Sequence, residues 1–224
     1  MAALQSRALA GTGFHVLQID LLGCGDSSGD FGDATWEAWR DDARRAVAWL
    51  QERTSAPLWL WGLRTGAMLA TETAAEIGQP ARLALWNPVV SGKQYLQQFL
   101  RMKLAGEMIS GEAKGAMARI REAIDRGESV EVAGYLLNAS MAKSLETREL
   151  TPPPNVRTMY WFDTAPKPTP ELSPAAQIAI EKWSGTGCRA EGIPVSGPAF
   201  WQTTEIEDAP ALIDATVSRL TQER

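Results

Sequence analysis

Short runs of strand formers alternate with longer stretches of helical spacing along the first part of the chain. Residues 2–10 read as a helix, closed by Gly11 and Gly13. The run Phe14-His15-Val16-Leu17-Gln18-Ile19 follows, and its apolar content fits a strand buried on both faces. A glycine-rich turn leads to Thr35–Arg53, where Trp36, Trp39, Ala43, Ala46, Val47 and Leu50 share one helical face. Asp33 is the expected N-cap. Leu58-Trp59-Leu60-Trp61 reads as the next strand, residues 67–78 as the next helix, and Leu83-Ala84-Leu85-Trp86 as a third strand ending at Asn87-Pro88. Strand and helix in strict alternation predict a doubly wound, mostly parallel α/β sheet.

The alternation breaks near residue 91. From there to about 149 the spacing is helical with no strand candidate, until the prolines of Thr151–Asn155 stop it. Strand patterning resumes at Val156–Phe162 and ends at Asp163. A helix over 174–184, capped by Ser173 with Pro174 in its first turn, precedes a strand at Ile193–Val195 and a helix from Ala209 to Leu220. The organisation expected is a core formed by residues 1–90 and 151–224, interrupted by a helical cap insertion at 91–150.

Composition narrows the function. The net charge of -5, with no basic run, leaves no electrostatic footprint for nucleic acid. Cys24 and Cys188 are the two cysteines; they make neither a disulfide framework nor a metal-ligand pair, and a reducing cytoplasm is the expected setting. No apolar run approaches the length of a membrane span, and no metal or cofactor motif occurs. Most of the nine tryptophans are expected in the core.

Two post-strand turns carry chemistry. Asp20-Leu21-Leu22-Gly23-Cys24-Gly25-Asp26-Ser27-Ser28-Gly29 resembles the D-x-x-G-x-G-x-S segment of the α/β-hydrolase superfamily. Trp61-Gly62-Leu63-Arg64-Thr65-Gly66 sits where that fold has its G-x-S-x-G nucleophile elbow. The stretches LGCGDSSGDF, WLWGLRTG, LWNPV and GPAFWQTTEIEDAP resemble a narrower group, the hydrolases associated with the exosortase A system of bacterial exopolysaccharide and protein-sorting clusters. The resemblance implies an ester or acyl hydrolase with a cap over its site.

The residues depart from that expectation at three places. The elbow position is Arg64, whose guanidinium stays protonated and is no nucleophile, while Thr65 comes one place too late. The single histidine, His15, falls in the first expected strand as a packed residue; the stretch Gly197–Trp201, where the superfamily histidine would come, offers Phe200 and Trp201. Asp163 matches the acid position, but without a histidine to orient it is half a relay. The resemblance also implies an earlier segment that supplies an oxyanion-hole amide and a strand between those ending at Asp20 and Trp61; Met1 is therefore expected to be an internal methionine of a longer protein, or the start to be misassigned.

The sequence thus predicts a site that binds an anionic or acylated small molecule with little or no hydrolysis, Arg64 and Asp163 occupying the catalytic positions. Cys24, Arg64, Thr65, Trp86 and Trp201 are the candidate ligand contacts, Arg64 either gripping the ligand or pairing with Asp163 or Asp26. The alternative is an active ester or acyl hydrolase with non-standard residues, Cys24 being the available nucleophile.

Overall fold

The computed structural model describes residues 1–110, 115–203 and 205–223. In chain order these form α1 (Ala2–Gly11), a 3-10 turn (Phe31–Asp33), α2 (Trp36–Gln51), β1 (Leu58–Leu63), α3 (Thr65–Ile77), β2 (Ala81–Trp86), α4 (Gly92–Ser110), α5 (Ala116–Asp125), β3 (Val130–Val132), β4 (Tyr135–Leu137), α6 (Ala139–Glu146), β5 (Val156–Ala165), α7 (Pro174–Ser184), β6 (Arg189–Ser196) and α8 (Pro210–Thr221). They divide into two compact units: residues 1–19, 44–90 and 150–224 in one, residues 20–43 and 91–149 in the other.

The first unit is a four-stranded parallel sheet in the order β1-β2-β5-β6. Gly62, Leu85, Trp161 and Gly192 lie side by side in register, as do Trp61, Ala84, Tyr160 and Glu191 one residue earlier. Side chains alternate across a pleated strand, so these rows face opposite ways. The Gly62 row faces α3 and α7, because a Cβ on Gly62 would meet Ala67 and one on Gly192 would meet Ile180. On the other face, Ala84, Trp86, Tyr160, Phe162 and Val195 form a continuous core with Leu9 of α1 and Leu212 and Leu220 of α8. Trp86 is fully buried and its indole N–H donates to Thr216 Oγ1 at 2.9 Å.

The strand expected at residues 14–19 does not form. No strand among the described residues pairs with it; His15 is exposed, and Val16 and Ile19 are each 37% exposed. An apolar run becomes a strand only when a neighbour supplies the ladder, and among the described residues β1 pairs with β2 alone. His15 is accordingly no packed strand residue.

In the second unit, α4, α5 and α6 pack on one another, with Leu96, Leu100, Ile120, Ile124, Met141 and Leu145 buried. Here too the sequence reading needs correcting, because the insert carries strands. β3 and β4 form an antiparallel hairpin whose connecting residues, Ala133 and Gly134, have φ of 50° and 83°. Positive φ at both turn residues is the geometry that matches strand twist in a two-residue hairpin. Strands of three residues are too short to show as a periodicity. The cap of α2 is also reassigned: Thr35 Oγ1 accepts the N–H of Ala38, whereas Asp33 accepts the N–H of Asp30 and closes the 3-10 turn.

Candidate functional site

The site is built on the turn from β1 to α3. Arg64, the residue between them, has φ 54° and ψ −120°, a conformation that side-chain-bearing residues rarely take. Its main chain is held on both sides: the N–H donates to Trp86 O at 3.0 Å, and the carbonyl accepts from Ala67 at 3.1 Å and Val89 at 3.3 Å. The turn is crowded at Gly62, where a Cβ would lie 2.3 Å from Gly66 O. Gly66 itself is not crowded, since a Cβ there meets nothing within 4 Å. Of the two glycines in the motif, one is required by close packing and the other is not.

The Arg64 side chain lies beside Asn87, just past the end of β2, and Trp201, in the loop after β6. Nη1 donates to the main-chain carbonyl of Asn87 at 3.0 Å, and the guanidinium carbon is 5.5 Å from the centroid of the Trp201 indole. That distance is within the reach of a cation–π attraction. Trp201 meets Phe200 edge-on at 5.1 Å, Phe200 meets Trp86 at 6.1 Å, and Trp86 meets Trp61 at 4.7 Å. Trp201 is partly exposed and borders the guanidinium. Trp86 cannot serve as the ligand wall the sequence suggested: its ring is fully covered, so it is the floor under Trp61 and Phe200. Thr65 is the first residue of α3 and partly exposed.

Asp163 is near the end of β5 and accepts two hydrogen bonds, Oδ1 from Asn87 Nδ2 at 3.3 Å and Oδ2 from the Ser173 N–H at 2.6 Å. The structure thus joins Arg64 and Asp163 through Asn87, a residue the sequence marked only as a strand end. Its signal was the Asn-Pro pair directly after a strand, since asparagine tolerates positive φ better than most residues.

Cys24 belongs to the second unit. Its N–H donates to Leu21 O and its carbonyl accepts from Ser27, within a turn where the Asp26 N–H is bonded to Asp20 Oδ2. Burial, and then the charge of Asp20, push the Cys24 thiol up from its ordinary value. A thiol shifted in that direction carries less thiolate at neutral pH, the opposite of an activated nucleophile. Cys188 is buried, and burial pushes its thiol up to about 11.

Among the described residues, no group of three or more His, Cys, Asp or Glu side chains could hold a metal ion, and no helix is long and apolar enough to cross a membrane.

A parallel sheet with helices on both faces, and a tight strand-to-helix turn at its carboxyl edge, makes this an α/β-hydrolase fold. The chain belongs to the family described as serine aminopeptidase, S33, which it matches over residues 3–144. No curated protein matches it. Among solved structures it is similar to Est1E from Butyrivibrio proteoclasticus, solved with ferulic acid, at 15% identity and a TM-score of 0.62, covering 99% of this chain and 81% of that one. It is similar to a thermostable carboxyl esterase from Bacillus coagulans, solved with glycerol, at 14% identity and a TM-score of 0.57, covering 91% and 79%. A structure from the study of the metagenome-derived lipolytic enzymes LipS and LipT matches at 15% identity and a TM-score of 0.59, covering 99% and 87%. At such identities the likeness concerns the fold alone.

Proposed function

We propose that this α/β-hydrolase-family protein binds an anionic or acylated small molecule at the β1–α3 turn and hydrolyses it little or not at all. The observation that carries the proposal is the place of Arg64. The nucleophile position of the elbow holds a guanidinium in the strained backbone conformation of that turn, bonded to Asn87 and close to Trp201. A planar fork of N–H donors at the start of a helix favours carboxylate, phosphate or the carbonyl of an acyl group. The partly exposed Trp201 ring supplies an apolar flank for the rest of such a ligand. No histidine other than His15 exists in the chain to take a proton from a hydroxyl or a thiol. The narrower kinship, with hydrolases associated with the exosortase A system, rests on the motifs LGCGDSSGDF, WLWGLRTG and LWNPV and is part of this proposal. So is a cytoplasmic setting, which two isolated thiols favour.

The test pairs an esterase and thioesterase screen with calorimetric binding of 1-octanesulfonate, a permanently charged anion with an acyl-like tail. We expect no turnover above background and binding that weakens about 10- to 150-fold in Arg64→Ala, the range of a charge-assisted hydrogen bond. Ester turnover in the wild-type protein that is lost in Arg64→Ala would overturn the proposal in favour of an active hydrolase with non-standard residues.

A further inference from the structure

We infer that Asn87 is the positioning residue of this site: its main-chain carbonyl anchors the Arg64 guanidinium while its side chain locks that carbonyl in place and holds Asp163. The inference rests on the anion-binding reading of Arg64 and extends it to the residue that prepares Arg64 for its ligand.

At Asn87 the chain leaves β2. Its N–H still makes a ladder-like bond, to Phe162 O at 2.8 Å, but its φ is 41° and the backbone turns away from the strand. The side chain then takes over the pairing that the main chain abandons. Oδ1 accepts the N–H of Thr164 at 3.2 Å, and Nδ2 donates to Thr164 O at 3.3 Å. A carboxamide carries the same donor and acceptor as a peptide group, so the amide continues the β2–β5 pairing by one step. Nδ2 also donates to Asp163 Oδ1. Asn87 is 6% exposed, so these bonds are made where water does not compete.

The consequence is geometric. With the side chain clamped to β5, the main chain is held at positive φ, and the carbonyl at that turn receives Arg64 Nη1. A guanidinium fixed before the ligand arrives loses less freedom on binding than one that must be ordered by the ligand. Neither aspartate nor glycine replaces Asn87. Aspartate lacks the donor and sets a second carboxylate against Asp163. Glycine takes the backbone conformation without strain but makes none of the bonds to β5.

The experiment uses Asn87→Gly and Asn87→Asp beside wild type and Arg64→Ala. Nitrogen-15 NMR of the Arg64 guanidinium, assigned by its loss in Arg64→Ala, reports hindered rotation of the side chain without any ligand. We expect hindered rotation in the wild type and faster rotation in both Asn87 variants. Calorimetry with 1-octanesulfonate should show affinity at pH 8 reduced tenfold or more in both variants. In Asn87→Asp, affinity should recover several-fold by pH 5, because two facing carboxylates share a proton that then replaces the lost Nδ2 donor. The wild type should change little over that range. A residue that only stabilised the fold would not produce this pH profile. If Arg64 stays hindered in both variants and octanesulfonate binds them as it binds the wild type, the inference is wrong while the anion-binding reading stands. If the wild type does not bind octanesulfonate, that reading falls, and the rotation data alone decide whether Asn87 positions Arg64.

Discussion

Arg64 and Asn87 hold each other at the carboxyl ends of two neighbouring parallel strands: the guanidinium of one donates to the main-chain carbonyl of the other at 3.0 Å. Both residues have positive φ, 54° at Arg64 and 41° at Asn87, and neither is glycine. Two strained backbones that meet through a hydrogen bond mark the place where the sheet gives up regular geometry for a particular arrangement of groups. In a fold whose elbow ordinarily presents a nucleophile, this arrangement presents a cation.

Restoring serine at the elbow should not restore an esterase. Arg64→Ser supplies a hydroxyl, but the chain's only histidine, His15, is exposed on a segment that forms no strand. Hydrolysis of p-nitrophenyl butyrate by Arg64→Ser should match that of the wild type. A rise of a hundredfold or more would show that a general base is present after all.

The two glycines of the elbow should respond in opposite directions. Gly62→Ala puts a methyl 2.3 Å from Gly66 O and 2.6 Å from Ala67 Cα, both main chain, so the turn must shift. A loss of roughly 1–3 kcal/mol, typical of overpacking, is expected. Gly66→Ala meets nothing and lies in the first turn of α3, so it should gain about 0.4–1 kcal/mol by restricting the unfolded chain. Urea denaturation of both variants measures the sign directly.

Tyr160 should make the protein sensitive to alkali. Its hydroxyl donates to Glu223 Oε1 at 2.9 Å, and burial together with that bond pushes its pKa from 10.0 up to about 12. A group raised in the folded state contributes stability that is complete below its unfolded pKa and is lost as pH rises through the folded one. The stability difference between wild type and Tyr160→Phe should therefore be constant between pH 4.5 and pH 10.0 and shrink towards about 12. Glu223 works at the other end: the Tyr160 hydrogen bond, then Arg189, lower its pKa from 4.5, and its contribution disappears as pH falls below that value. Denaturant titrations of both proteins across this range provide the check; a difference that widens in alkali would contradict the assignment.

The free edge of β1 should make the chain self-associate. Its sequence, Leu58-Trp59-Leu60-Trp61-Gly62-Leu63, carries no charge and no proline, the usual protections of an edge strand. Val16 and Ile19 add exposed apolar surface within the same unit. Replacing both by lysine should reduce association seen by light scattering while changing stability by no more than about 0.5 kcal/mol, as at other surface sites. Unchanged scattering would clear this segment of a role in association.

Much of the architecture was legible in the residues because it is set locally. Periodicity located β1, β2, β5 and β6 and the helices between them, and Ser173 with Pro174 marked the start of α7, where the Ser173 hydroxyl does accept the Ala176 N–H. The chemical identity of the elbow residue, and the lack of a histidine near Phe200 and Trp201, are also properties of the sequence alone. What tertiary structure decided is everything that depends on a partner. Residues 14–19 have the composition of a strand and form none, because a strand exists only through its neighbour's donors and acceptors. Trp86 looked available to a ligand and is the buried floor of an aromatic stack, because burial is decided by what packs above it. The Asn87-Pro88 pair marked a strand end that could take positive φ and nothing more; the role of Asn87 exists only because β5 brings Asp163 and Thr164 within hydrogen-bonding distance, and β1 brings Arg64, from positions far apart in the chain.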